Sequence, residues 1–259
     1  MRSPILKPGF ALPVAVCAAL LSLTSASPQV LAEQEKLPSA RSIIDKHIKA
    51  IGGTQAILAH SSTHEVGTVT MPAAGITGKL ESFSSKPNKF VRRMTMPGIG
   101  EVEEGFDGTI GWSLSPLTGP ALIEGKQLEQ LGFDADFYEE LKANDRYTSM
   151  TTLEKTTFDG KSAYKVQLVT KHGEEDIEFY DTETGLKIGA MARRESPMGP
   201  IQGTTVASDY KLFGNLRQPS MLKVSMMQVE MVMTIVTIDY DKVDPSVFVA
   251  PPQIKALVK

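Results

Sequence analysis

Four histidines, adjacent acidic pairs such as Glu103-Glu104 and a cluster of methionines are the residues with which this chain could do chemistry. His60 and His64 stand four apart, the spacing at which two imidazoles on one helix face can bind zinc. His64-Glu65 also opens like a zinc-protease motif, but the fifth position of that motif is Thr68. The segment around it alternates like a strand, and Ser61-Ser62 ends the helix between the two histidines, so no metal site is expected. His47, on the polar flank of a helix, and His172, in a turn, read as surface residues. Glu103-Glu104 and Glu174-Glu175 are neighbours, which on a strand point to opposite faces and so do not share one proton-transfer site. No Gly-x-Ser-x-Gly elbow occurs, and Gly98-x-Gly100 lacks the third glycine of a dinucleotide loop. Asp107 and Trp112 read as a hairpin turn and a core anchor. The chain is therefore expected to bind rather than catalyse, with no catalytic residue, metal or cofactor.

The methionines Met221, Met226, Met227, Met231 and Met233 allow three readings. Flexible thioether chains fill ordinary cores, and they also adapt to irregular apolar ligands. They can also bind copper(I), but no histidine accompanies this cluster and alternation scatters its sulfurs over two faces.

The elements that must position these residues follow from periodicity. Ile44, Ile48 and Ile51 form one stripe, predicting two short helices over residues 39–60. Gly52-Gly53 is expected to stop the first helix and Thr54 to cap the second. From His64 the period changes to two, and turn signals recur at Lys86-Pro87-Asn88, Pro97-Gly98, Asp107-Gly108, Asp159-Gly160 and Gly214-Asn215. This is the pattern of an antiparallel meander, of about eleven strands at such a turn spacing. One helix interrupts it: residues 125–142 carry Leu128, Leu131, Ala135, Tyr138 and Leu141 on one face, after a loop over residues 113–122. Alternation puts Phe90, Arg92, Met94 and Met96 on one side of their strand. Met227, Val229, Met231, Met233 and Ile235 share a side of the last stretch, with a hairpin expected near Met227-Gln228.

Arg2 and Lys7 precede an apolar run from Phe10 to Leu23 that is shorter than the roughly 20 residues of a membrane span. Val30-Leu31-Ala32 then offers a small-x-small cleavage site, with Thr24-Ser25-Ala26 as an alternative, so residues 1–32 read as a secretory signal. The one cysteine, Cys17, falls inside this run, which leaves the remainder without disulfides or thiol chemistry. Residues 33–259 suffice for a single domain with a real core. The net charge of −3 makes nucleic acid a poor partner.

Within residues 83–116, Lys86-Pro87-Asn88-Lys89-Phe90, Met94-Thr95-Met96-Pro97, Asp107-Gly108-Thr109, Trp112 and Pro116 follow in order. This stretch resembles the core of the LolA/LolB-type periplasmic carriers of lipid-modified proteins, and Phe248…Pro251-Pro252 is similar to their ending. The resemblance implies an α+β fold: a curved antiparallel β-sheet, an unclosed half-barrel, with short helices covering its concave face. It implies a periplasmic carrier or sensor of a lipid or acylated protein, with envelope membrane proteins as possible partners and a monomeric state. The expected apolar wall is Phe90, Met94, Met96, Trp112, Met227, Met231 and Met233, joined by Phe133, Phe137 and Leu141 from the mid-chain helix. In those carriers an arginine before the entry-strand proline bonds the lid. Lys86 stands there in this chain, with a point charge in place of a planar fork of donors. The alternative from another class is a protein–protein module whose sheet is filled by its own side chains.

Overall fold

Period-two alternation becomes strand at Ser62 and continues, with one helical interruption, to Tyr240. The computed structural model describes residues 36–196 and 199–258, so the expected signal segment 1–32 lies outside the described residues. Strands β1 (Ser62–Met71), β2 (Ile76–Ser85), β3 (Lys89–Met96), β4 (Gly100–Phe106), β5 (Gly111–Ser115) and β6 (Gly119–Ile123) form the first half of the meander. The second half comprises β7 (Tyr147–Phe158), β8 (Lys161–Thr170), β9 (Glu175–Asp181), β10 (Lys187–Arg194), β11 (Ile201–Phe213), β12 (Leu216–Met226) and β13 (Val229–Tyr240). All thirteen make one antiparallel sheet in the order β6-β5-β4-β3-β2-β1-β13-β12-β11-β10-β9-β8-β7. Only the β1–β13 pairing is non-consecutive, and the edges β6 and β7 do not pair, so the sheet stays open. The count exceeds eleven in part because the expected loop over residues 113–122 forms most of the β5–β6 hairpin. Pro120 is tolerated there because β6 is an edge strand, where a missing N–H is not needed.

Helix α1 (Ala40–Ala50) starts at Ser39, whose hydroxyl accepts from Ser42 N at 3.2 Å. Its apolar stripe, Ile43, Ile44 and Ile48, packs on Val166, Leu168 and Tyr180 of β8 and β9. Gly52 and Gly53 stop it as expected, both at positive φ, and Gly53 N donates to Ile48 O at 2.8 Å. The cap of α2 (Thr54–Leu58) is Gly53 rather than Thr54, which is the first helical residue.

The mid-chain helix is shorter than its periodicity predicts. Helix α3 (Gly125–Asp134) ends before a turn in which Phe137 N donates to Pro87 O at 3.0 Å and Asp136 accepts from Tyr138 N and Lys142 Nζ. A 3-10 turn at Glu139–Leu141 and helix α4 (Ala143–Arg146) follow. Tertiary hydrogen bonds outside the segment thus divert a chain whose local pattern favours one helix. Leu128 and Leu131 of α3 press on Gly111 of β5, where an added Cβ would stand 2.8 Å from the Leu128 Cδ1. From its other side α3 reaches the second half of the sheet. Gln130 Nε2 donates to Glu174 at 2.6 Å, and Asp134 pairs with Arg194 of β10 at 2.9 Å. One helix bound to both halves requires the sheet to curve around it, and this inner side is the concave face.

On the opposite face lies the C-terminal segment, a 3-10 turn at Pro245–Phe248 followed by α5 (Pro252–Lys255). Phe248, Ala250 and Ile254 bury Phe83, Val91 and Trp112 there. Gly105 makes room for the indole, since a Cβ at that position would stand 2.2 Å from it.

The β12–β13 hairpin turns at Met227-Gln228, both at positive φ, a two-residue turn of the mirror-image kind without the usual glycine. The four turns that follow one another along this rim from β6 to β12 are centred on Pro116-Leu117, Pro97-Gly98, Pro72–Ala74 and Met227-Gln228. None contains a charged residue, and Leu117 and Met227 are 77% and 58% exposed. The turns at the opposite rim hold Lys86, Asp107, Asp159 and Glu183.

Candidate functional site

Between the helices and the concave face lies a cavity of about 500 Å³, within the range of small-molecule sites. Register defines its floor. One row of facing residues runs Tyr240, Thr63, Ser84, Phe90, Phe106 across β13, β1, β2, β3 and β4. The next row runs Ile238, Glu65, Ser82, Arg92, Glu104. The third is apolar: Ile235, Gly67, Leu80, Met94, Val102. A fourth row continues it with Leu222, Met233, Val69, Gly78 and Met96 toward the uncharged rim. The cavity covers the first two rows, with Leu131, Ala135 and Phe137 above them and Ile57 and Leu216 at the side.

A bulge between Val66 and Gly67 sets this pattern. It brings Ile235 and Ile238, three apart, to one face, where uninterrupted alternation predicts opposite faces. Gly67 is required at the close approach, because a Cβ there would meet Thr234 O at 2.0 Å.

The polar row is unusual for its missing partners. Among the described residues no carboxylate lies within 4.0 Å of the Arg92 guanidinium, which sits 5.0 Å from the Phe90 ring centroid. Glu65 makes no described hydrogen bond. Burial pushes its carboxyl above the usual range, against the attraction of Arg92. The Tyr240 hydroxyl is buried without a hydrogen-bond partner, and burial, helped by the nearby Glu65, pushes it up to about 12.

Glu104, also in the lining, makes no described ion pair, whereas the acids of the helical segment and their neighbours are paired. Asp136 holds Lys142 at 2.7 Å and Asp134 holds Arg194. Glu140 takes Lys187 at 2.8 Å, and Lys187 also reaches Glu178 at 3.3 Å. Burial opposes ionisation of Glu140, but Lys187 and His47 outweigh it and hold that carboxyl below the usual range. Glu139 lies 3.2 Å from Arg146 with its side chain 45% exposed, and crowding by the surrounding protein raises its carboxyl above the usual range, with Lys187 opposing. Arg146 itself is buried, stacks 3.6 Å from the Phe133 ring centroid and donates to Phe133 O at 2.6 Å.

At one end of the cavity His60 forms a latch. Its Nδ1 meets Asp241 at 2.8 Å, its Nε2 meets Asn215 at 2.6 Å, and its ring stacks 4.0 Å from that of Tyr240. Asp241 also accepts from Ser61 N and Oγ, and the bond from His60 holds its carboxyl down at about 2. Ser61 donates to the carboxylate rather than to an imidazole, so the trio ties α2 to β13 and is not a nucleophilic triad.

The expected wall residues divide into groups. Phe90 and Phe137 line the cavity. Met94, Met96, Met231 and Met233 share the concave face of Phe90, but in the apolar strip beyond the cavity, where they pack with Val69, Leu80 and Ile235. Trp112 is on the opposite face, because the β3–β4–β5 register places it with Val91 and Gly105. Met227 is in the hairpin turn and exposed, since both turn residues leave the pleat. Phe133 is held by Arg146, Tyr147 and His172. Leu141 packs in the core beneath α1. Lys86 is exposed, and this turn reaches the helical segment through the Pro87 carbonyl instead of a lysine side chain.

The histidines divide as well. His47 is not at the surface but 1% exposed, accepting from Lys187 N at 3.1 Å. His64 lies on the convex face, stacked 4.3 Å from Phe83 and remote from any pairing with His60. Among the described residues no group of three or more His, Cys, Asp or Glu is arranged to hold a metal. Ser82 and Tyr240 were not singled out by their sequence, and Glu65 and Glu104 stood out only within motifs that were set aside. The available signal was Arg92, which shares the Phe90 side of β3.

No protein-family model matches the chain, and no curated protein does. Among solved structures, a DUF1329 family protein from Desulfovibrio piger aligns with a TM-score of 0.56 at 11% identity, covering 81% of this chain and 96% of that one. A LolA superfamily protein from Nitrosomonas europaea aligns with a TM-score of 0.54 at 14% identity, covering 83% and 99%. At these identities the likeness is one of architecture: this chain has the LolA-like fold, an open antiparallel sheet curved around short helices.

Proposed function

We propose that this protein binds a lipid or the acyl chain of a modified protein between its helices and concave sheet, as a non-enzymatic carrier or sensor in the cell envelope. The observation that carries the reading is the cavity of about 500 Å³ beneath α3, walled in part by Phe90, Leu131 and Phe137, with a packed, methionine-rich apolar strip next along the same face. The LolA-like fold and the resemblance of residues 83–116 to the lipoprotein carriers support the ligand class. The signal-like N-terminal segment supports a periplasmic location. Envelope membrane proteins, as donor or acceptor, and a monomeric state belong to the same proposal.

Native mass spectrometry of the protein purified without detergent, followed by solvent extraction, tests it. A discrete lipid adduct near one per chain is expected. A clean unliganded mass that persists after incubation with envelope lipids would overturn it. That result would favour the second reading, an interaction module with a self-filled interior, for which the packing of Val69, Leu80, Met96, Met233 and Ile235 against one another speaks.

A further inference from the structure

The floor of the cavity is not the featureless apolar surface that an acyl chain alone requires. Its central row places an acid, a hydroxyl, a base and an acid on four successive strands: Glu65, Ser82, Arg92 and Glu104. Neighbouring strands are about 4.8 Å apart, so the row spans roughly 14 Å of backbone. A buried polar group without a partner costs free energy. Here the orphaned Tyr240 hydroxyl, the unbonded Glu65 and the unpaired Arg92 face one space. Beside this row, two residues further along each strand, begin Leu80 and Met94, and the apolar strip runs from there to the rim without charged turns.

Resting on the lipid-binding reading, we propose that the ligand is an amphiphile with a zwitterionic phosphate–amine head, bound head-inward. Its phosphate sits on Arg92 and its ammonium faces Glu65 and Glu104. Its tail lies against Phe90, Leu131, Phe137 and Ile238, apolar residues of the cavity lining. Arginine offers a phosphate a planar fork of donors, and a charge-assisted bond is roughly twice as strong as a neutral one. A purely anionic head fits less well, because Glu104 stands directly opposite Arg92 and Asp134, Asp136, Glu139 and Glu140 also line the cavity. A purely apolar ligand would leave all the orphaned groups unsatisfied.

Calorimetric titration of the full chain with monomeric short-chain lipids tests this. Three would share the same two acyl chains and carry a phosphoethanolamine head, a phosphoglycerol head or no head, and free phosphoethanolamine would be the fourth titrant. The phosphoethanolamine lipid should bind about tenfold or more tighter than the other two, the scale of one charge-assisted bond, and free phosphoethanolamine should bind more weakly than any of the lipids. Arg92→Gln should remove the advantage over the headless lipid and Arg92→Lys should restore part of it, with melting temperatures confirming that the variants fold. Glu65→Gln should remove the advantage over the phosphoglycerol lipid. Equal affinity for the three lipids, an unchanged preference in Arg92→Gln, or free phosphoethanolamine binding as tightly as the lipid would overturn the inference while leaving lipid binding intact. No binding of any lipid would overturn the lipid-binding reading and this inference with it.

Discussion

Trp112 donates its indole N–H to Glu103 at 2.8 Å beneath the C-terminal segment, and the same carboxylate takes Arg93 at 2.7 Å. Both Trp112 and Glu103 are buried. This bond lies on the side of the sheet away from the cavity, so the Trp112 indole belongs to the scaffold and not to the ligand wall. Trp112→Phe should therefore destabilise the fold by about 1–3 kcal/mol, the cost of leaving a buried charged acceptor short of a donor. Denaturant unfolding measures this loss, and lipid content per folded chain should not change. A folded variant that loses its lipid would contradict the assignment of faces.

Phe90→Glu should have the converse effect. The ring lines the cavity with the Arg92 guanidinium 5.0 Å away, so a carboxylate there removes apolar contact surface and takes up the cation that would face the ligand. Co-purifying lipid should fall below detection while the circular dichroism spectrum stays that of the parent. Unchanged lipid content would remove Phe90 from the binding wall.

Glu139 makes stability depend on pH. Although its side chain is 45% exposed, desolvation by the packed protein around it pushes its carboxyl up from 4.5 to about 7. Between those values the folded chain keeps a proton that the unfolded chain releases, and the remaining solvent contact reduces the size of the effect. Stability from this group is full below about pH 4.5 and is lost as pH rises through about 7. Melting temperatures taken from pH 5 to pH 8 should decline less in Glu139→Gln than in the parent. Parallel curves would exclude Glu139 as the source.

The His60–Asp241 latch titrates at both ends. Asp241 is held down at about 2 from 3.8, first by the bond from His60, so its contribution is present above pH 3.8 and is lost as pH falls toward 2. His60 is raised above 6.5, burial being outweighed by its bonds to Asn215 and Asp241, so its contribution is present below 6.5 and fades at higher pH. Asp241→Asn should cost about 1 kcal/mol or less, as for other partly exposed pairs, with the largest difference near pH 5. Chemical denaturation at pH 3, 5 and 8 measures it, and a loss independent of pH would show that the Ser61 bonds alone matter.

Much of the fold was open to reading from short-range signals. Period-two alternation, the Asp107-Gly108 and Asp159-Gly160 turns, the Gly52-Gly53 stop and the Met227-Gln228 hairpin are local, and each appears where expected. So does the grouping of Phe90, Arg92, Met94 and Met96, because alternation within one unbroken strand is a property of its own backbone. What failed depended on distant residues. Helix α3 stops at Asp134 because Pro87 offers a carbonyl to Phe137 N, and no periodicity within residues 125–142 records that.

The site was decided still further from local pattern. Which face of β5 carries Trp112 depends on its register with β4, and a slip of one residue reverses every side chain. The bulge at Val66/Gly67 turns Ile235 and Ile238 to the same side only because β1 and β13, far apart in sequence, are neighbours in the sheet. The row from Glu65 to Glu104 exists only once β1 to β4 are aligned. The sequence by itself determined an antiparallel meander with a leading helical pair and a mid-chain helix, and an absence of recognisable catalytic motifs, because these follow from local backbone preferences and residue types. The tertiary structure alone decided that the cavity has a polar floor beside an apolar strip, because that arrangement is set by cross-strand register, which no single strand contains.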